Sequence, residues 1–155
     1  MSWQISLGPA QSAAARHAWS TFVANKPTDA DWILRAMVAV AASDGRLDSR
    51  EVGLIQQVYQ DQTGRPVDIS GVASAAETYA KRDVLAELSV AAGGLSEETK
   101  EEIIRAAYLV LLADDRIAGE ERKKLKDIAA ALKMPEIQFG AILEDLALFL
   151  AKAKS

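Results

Sequence analysis

Asp44-Gly45-Arg46-Leu47 is followed by Glu51, and further along the chain Asp114-Asp115-Arg116-Ile117 is followed by Glu121. Each run sets carboxylates on both sides of one tight turn between two helical stretches. Residues three or four apart share a helix face, so Asp44 lies one turn beyond Val40, Glu51 one turn before Ile55, Asp114 just beyond Leu111 and Glu121 just before Leu125. The acids therefore continue the apolar stripes of their helices. A carboxylate drawn inward needs a hydrogen-bonding or ionic partner, because an unpaired buried charge costs several kcal/mol. Glu51 and Glu121 stand near helix N-termini, where negative charge is favoured; Asp44 and Asp114 stand at C-termini, where it is disfavoured by roughly 0.3–1 kcal/mol. A hard divalent cation, Ca²⁺, Mg²⁺ or Mn²⁺, would accept these carboxylates together with the free carbonyls of the preceding helix end. The candidate metal ligands are Asp44, Glu51, Asp114 and Glu121, with Asp48 beside them.

A second reading uses only the protein. Arg46 and Arg116 recur inside the same turns and could neutralise the acids directly, which would leave a metal-free interaction scaffold. Asp48 followed by Glu51 also has the spacing of a capping box. In the second copy Ala118, a poor cap, stands where Asp48 does, yet Glu121 is kept, for which the helix dipole alone could account. Neither run is an EF-hand: the first two ligand positions would be Val40 and Ala42, or Val110 and Leu112, none with a side-chain oxygen.

Helical periodicity fills nearly the whole chain and must position these turns. A helix is expected from Pro9 to about Asn25, with Ala14, Ala18, Phe22 and Trp19 inward, ended by Lys26-Pro27. Thr28 or Asp29 can cap the next, which carries Ile33, Ala36, Met37 and Val40 and should stop at Asp44-Gly45. Asp48 or Ser49 opens a third, with Val52, Ile55, Val58 and Tyr59 on one face, broken at Thr63-Gly64-Arg65-Pro66. Asp68 can cap a short helix to about Ala80, and Asp83 another carrying Val84, Leu85, Leu88 and Ala91, up to Gly93-Gly94. Ser96 begins a helix with Ile104, Ala107, Tyr108 and Leu111; Gly119 to Leu132 follows with Leu125, Ile128 and Ala129; a last helix starts at Pro135 and uses Ile142, Leu146 and Phe149.

Laid over one another, Arg35–Tyr59 and Arg105–Ala129 match in period and turn position: Val40 falls on Val110, Ile55 on Leu125 and Val58 on Ile128. The expected fold is all-α, with about seven to eight helices and two related hairpins about a pseudo-two-fold axis. A single domain, 1–155, divides into an N-terminal extension and first helix (1–28), a first acidic hairpin (29–65), connecting helices (66–95), a second acidic hairpin (96–134) and a C-terminal helix (135–155).

Composition narrows the function classes. Half of the 155 residues are hydrophobic and 26% are charged, the profile of a folded helical protein. A net charge of -4 gives no basic footprint for nucleic acid. The absence of Cys removes disulfides and thiolate metal sites. Met1 to Pro9 lacks the basic and apolar regions of a signal peptide, and no apolar run reaches membrane-spanning length, so a cytoplasmic location is expected. His17, the only histidine, has no Ser, Cys or acid pattern around it that would make a triad, and no phosphate loop or dinucleotide fingerprint occurs; an enzyme is not expected. The basic run Arg122-Lys123-Lys124 with Lys126 reads as a solvated face with intrahelical ion pairs, or as a docking surface for an acidic partner. Trp3, Trp19 and Trp32 are expected to pin the first helix to the core.

The run Ala41-Ala42-Ser43-Asp44-Gly45-Arg46-Leu47-Asp48-Ser49-Arg50-Glu51, with its partner Leu112-Ala113-Asp114-Asp115-Arg116-Ile117-Ala118-Gly119-Glu120-Glu121, resembles the TerB family of tellurite-resistance proteins over roughly Asp31 to Leu150. The resemblance implies a compact all-helical bacterial domain in which a helix ends in Ala-Asp-Gly, turns through an aliphatic residue and resumes at a Glu. It also implies a link to tellurite or other chemical stress, metal binding by Asp44, Glu51, Asp114 and Glu121, and action through protein partners. A related domain occurs in a membrane-anchored DnaJ-like co-chaperone, which leaves peripheral association with a membrane complex open. Asp115 departs from the pattern, standing where the family prefers Gly.

Overall fold

Side-chain caps start most of the helices. The computed structural model describes residues 27–43, 47–112 and 119–153. Thr28 accepts a hydrogen bond from the Asp31 backbone N–H while Asp31 accepts one from Thr28, a reciprocal box that opens α1 (Asp29–Ala41). Asp48 and Glu51 do the same for α2 (Ser49–Thr63). Asp68 caps α3 (Ile69–Ala80) and Asp83 caps α4 (Val84–Ala91), which runs into a 3₁₀ turn at Ala92–Gly94. Ser96 accepts from the Thr99 N–H at the head of α5 (Glu97–Leu112). Then come α6 (Gly119–Ala131) and α7 (Glu136–Ala153). Among the described residues there is no strand, and no helix is long and apolar enough to cross a membrane. The expected helix over 10–25, with His17, Trp3 and Trp19, lies outside the described residues.

The ends of the helices are equally local. Gly64 closes α2 at φ 73, in the left-handed region that only glycine adopts without cost. α1 ends at Ala41, short of the expected Asp44-Gly45: Ser43 donates both its N–H and its hydroxyl to the Val40 carbonyl, at 3.2 and 2.8 Å, and so turns the chain early. At the end of α6, Met134 N–H reaches Ala129 O and Lys133 N–H reaches Ala130 O, a Schellman closure that holds Lys133 at φ 60.

Packing centres on α1 and α5, which make the most extensive helix pair. Both are buried over more than one face, and Ala36 and Ala41 of α1 and Ala106 and Ala107 of α5 are almost completely enclosed. Met37, Val40, Ile103, Ile104, Val110 and Leu111 fill the core beside them. α2 packs on its own partner α1 and also on α5; α6 packs on its own partner α5 and also on α1. Each hairpin thus packs its second helix on the first helix of the other as well as on its own. α3 and α4 cover α1, and α7 covers α5.

The two central helices run the same way. At one end the Thr99 hydroxyl, enclosed at the head of α5, donates to Asp29 at the head of α1 at 3.0 Å. At the other, the first turns of α6 lie beside both tails: Lys124 shares a cavity wall with Val38, Ala42 and Ser43 of the α1 end, and Arg122 shares another with Leu111 of α5. The ends of α1 and α5 and the starts of α2 and α6 are therefore gathered at one end of the bundle.

A second constraint ties α1 to α3 and α4. The Arg35 guanidinium lies 4.6 Å from the Trp32 ring centroid and 4.9 Å from that of Tyr79, and it pairs with Glu87 at 3.3 Å. Arg82 closes on the same Glu87 at 2.8 Å from the solvent side. Each stacked cation contributes on the order of 0.5–2 kcal/mol, the more so where water is excluded. Arg35 Nε is buried without a hydrogen bond, so ring stacking and Glu87 are what compensate its charge.

One expectation about the core fails. Ile142 and Leu146 of α7 are buried, but Phe149, on the same stripe, is 64% exposed. The helical period is right; at that height no described side chain stands opposite closely enough to cover the ring, and an open recess lies between it and Gln62, Arg105 and Leu109.

Two outcomes follow for stability, both read by urea or thermal unfolding. Glu87→Ala strands the buried Arg35 and is expected to cost about 1–3 kcal/mol, whereas Arg82→Ala, from the more exposed partner, stays within about 1 kcal/mol; equal losses would show that the cluster is not centred on Arg35. Lys133→Gly removes the left-handed penalty at the α6 end and is expected to stabilise by about 1 kcal/mol, raising the melting temperature by a few degrees.

Candidate functional site

The third residue of α2 is Glu51 and the third residue of α6 is Glu121, so the two glutamates occupy the same register in the two hairpins. For Glu51 the local cause is visible. Its backbone N–H donates to Asp48 Oδ1 at 2.8 Å, and its own Oε1 accepts the Asp48 N–H at 3.2 Å, which folds the carboxylate back over the first turn. One turn on, Ile55 is in the core, and Glu51 is left only 8% exposed.

Glu121 is buried more deeply, at 3%, with Leu125 one turn on and Ile128 beyond it in the core. The residue before α6 is Ala118, which has no side-chain oxygen to return a capping bond. α6, which carries it, packs against both α1 and α5. Neither carboxylate lacks an interaction partner. Both benefit from the positive end of a helix dipole, which favours the charged form at this position.

Of the proposed ligands, the structure therefore places Glu51 and Glu121 inward, at the same end of the bundle. It brings Asp48 and Glu51 together, but Asp48 is exposed and serves as the helix cap. Asp44, Gly45 and Arg46 of the first turn, and Asp114, Asp115, Arg116, Ile117 and Ala118 of the second, lie outside the described residues. Among the described residues no group of three or more His, Cys, Asp or Glu side chains is gathered closely enough to hold a metal ion. The described part offers two inward carboxylates, one from each hairpin.

Two clefts flank this end. One, of about 390 Å³, lies between the α1 tail, the α3–α4 connection and α6, with Ser43, Tyr79, Arg82, Asp83 and Lys124 among its walls. The smaller one is lined by Tyr108, Leu111, Arg122, Lys126 and Phe139. The basic run on α6 is divided between them: Lys124 is half-buried in the first, and Arg122, Lys123 and Lys126 are exposed. Lys123 pairs with Asp127 one turn on at 3.1 Å, the intrahelical ion pair of a solvated face.

Sequence reasoning did not single out the Arg35 cluster. Its only local signal is the spacing of Trp32 and Arg35, three residues apart and hence on one face; Tyr79, Arg82 and Glu87 come from elsewhere in the chain. Trp32 is buried and stacks on this guanidinium; the first helix it was expected to pin lies outside the described residues.

No curated protein and no solved structure matches the chain significantly. A family model described as "Protein of unknown function (DUF533)" matches residues 6–146, which takes in both hairpins, the connecting helices and most of α7. The protein belongs to the DUF533 family.

Proposed function

We propose that this DUF533 chain is a TerB-like, non-enzymatic module that binds or senses a divalent cation and acts through protein partners in the bacterial cytoplasm, in the response to tellurite or other chemical stress. One observation carries the reading: Glu51 and Glu121, from two hairpins of the same design, are both drawn into the protein at the same end of the bundle. Carboxylates so placed are stabilised by a positive counterpart, and a cation is the partner that can serve two hairpins at once. Asp44 and Asp114, next to the ends of α1 and α5, would complete its oxygen shell. A cation bound only by the folded form would stabilise it by mass action and fix the shape of the surface around the two turns.

The second reading, a metal-free scaffold, draws on the capping box. Glu51 already has a structural task at the head of α2, and Arg46 and Arg116 would supply the remaining charge.

Melting in chelator and in millimolar Ca²⁺, Mg²⁺ or Mn²⁺ separates the two. At a metal concentration of about a hundred times Kd the folded state gains about 2.7 kcal/mol, a rise of roughly 5–10 °C for a chain of this size. Glu121→Gln and Asp44→Asn should abolish that rise. A melting temperature indifferent to all three metals would sink the cation reading. A destabilised Arg46→Ala, with no metal response in the parent, would support the scaffold, and a neutral Arg46→Ala would count against it.

A further inference from the structure

α6 and α7 both pack on α5 but make little contact with one another, so a wedge stays open between them. Its floor is Leu111 and Leu125, 1% and 2% exposed, and its walls are the half-buried Tyr108, Phe139 and Leu143. Helical spacing puts each wall on one face: Tyr108 and Leu111 are three apart on α5, and Phe139 and Leu143 four apart on α7. Arg122 and Lys126, four apart on α6 and both exposed, stand at the mouth. No acidic side chain lines the wedge. The intrahelical ion pair that the basic run does form, Lys123 with Asp127, lies outside it, and among the described residues Arg122 and Lys126 have no ion pair. An aromatic and aliphatic interior therefore opens beneath two uncompensated cations.

We infer that this wedge binds a carboxylate carried on a compact apolar body, with the ring or branched chain inside and the carboxylate between Arg122 and Lys126. Volume sets the size. At about 220 Å³ the wedge exceeds the ~150 Å³ in which an apolar cavity takes up benzene and falls short of the ~300–1,000 Å³ of sites for larger ligands. A single ring or a leucine-sized chain fits it, and a nucleotide does not. The cations set the charge: a guanidinium presents a planar fork of donors that matches a carboxylate, and the Lys126 ammonium adds a second positive charge one turn away. The Tyr108 hydroxyl, bonded to no described residue, is a further donor on the wall. A bare inorganic anion would meet the cations but leave the apolar floor in water, which argues for a ligand with an apolar part. Two sources carry this chemistry, a free aromatic or branched acid and the C-terminal residue of a protein chain. None of this depends on whether a cation binds near Glu51 and Glu121.

Titrating the full-length protein, isotope-labelled at its leucine methyls, with phenylacetate reads the site directly. Saturable shifts are expected at Leu111, Leu125 and Leu143, while Leu34 and Leu54, which do not line the wedge, stay in place. Phenylacetamide, the same shape without the charge, should bind about tenfold more weakly, and acetate, the charge without the ring, should give no saturable shift. Arg122→Gln with Lys126→Gln, both on exposed side chains, should bring phenylacetate down to the affinity of the amide and leave the melting temperature unchanged. Equal binding of acid and amide, an acid affinity that survives the double substitution, or no saturable shift at the three leucines overturns the proposal. An acetylated tetrapeptide that ends in phenylalanine with a free carboxylate separates the two sources. Tighter binding than phenylacetate assigns the wedge to the tail of a partner protein, and weaker binding to a free small acid.

Discussion

The close contact of α1 with α5 is the constraint on which the remaining structure depends. It requires both helices to be apolar on several faces, because each is covered again on the outside. Around the central pair, α2 and α6 each pack against one helix of their own hairpin and one of the other. Asp29 and Thr99 link the two heads, so both tails are delivered to the opposite end.

That geometry is also what makes the acidic positions unusual. A glutamate in the first turn of a surface helix normally extends into water and gains only the dipole. Here the first turns of α2 and α6 are wedged beside the tails of the central helices, and the third residue of each is enclosed. Glu51 meets this demand partly through its own cap, whereas Glu121 has an alanine in the cap position.

The Arg35 cluster shows a different compromise. A guanidinium, weakly hydrated and planar, can be taken out of water at a smaller penalty than an ammonium, and stacking between Trp32 and Tyr79 with Glu87 at its edge supplies the compensation. It joins three helices through one side chain and leaves Arg82 outside as a solvent-facing second partner. Lysine in its place would keep the charge but lose the flat contact with both rings.

Much of the secondary structure was legible in the residues. Thr28, Asp48, Asp68, Asp83 and Ser96 each announce a helix start, and Gly64 an end, because such signals are hydrogen bonds and backbone preferences acting within four residues. Ser43 was missed as a terminator since Gly45 offered a more familiar one, and Lys133 because a left-handed lysine has no distinctive spelling. The duplicated hairpins and the inward register of Glu51 and Glu121 could be read from periodicity, which relates each acid to its own helix face.

By itself, then, the sequence determined where helices begin, which face of each is apolar, and that two hairpins repeat one plan. Only the tertiary structure decided which helices became central, that Arg35 would be buried between rings from two parts of the chain, and that Leu146 would be buried while Phe149 stayed exposed. The reason is one of range. Capping and amphipathicity are settled among near neighbours, but burial depends on what arrives from the far side of the fold, as Thr99 does for Asp29 and Glu87 for Arg35.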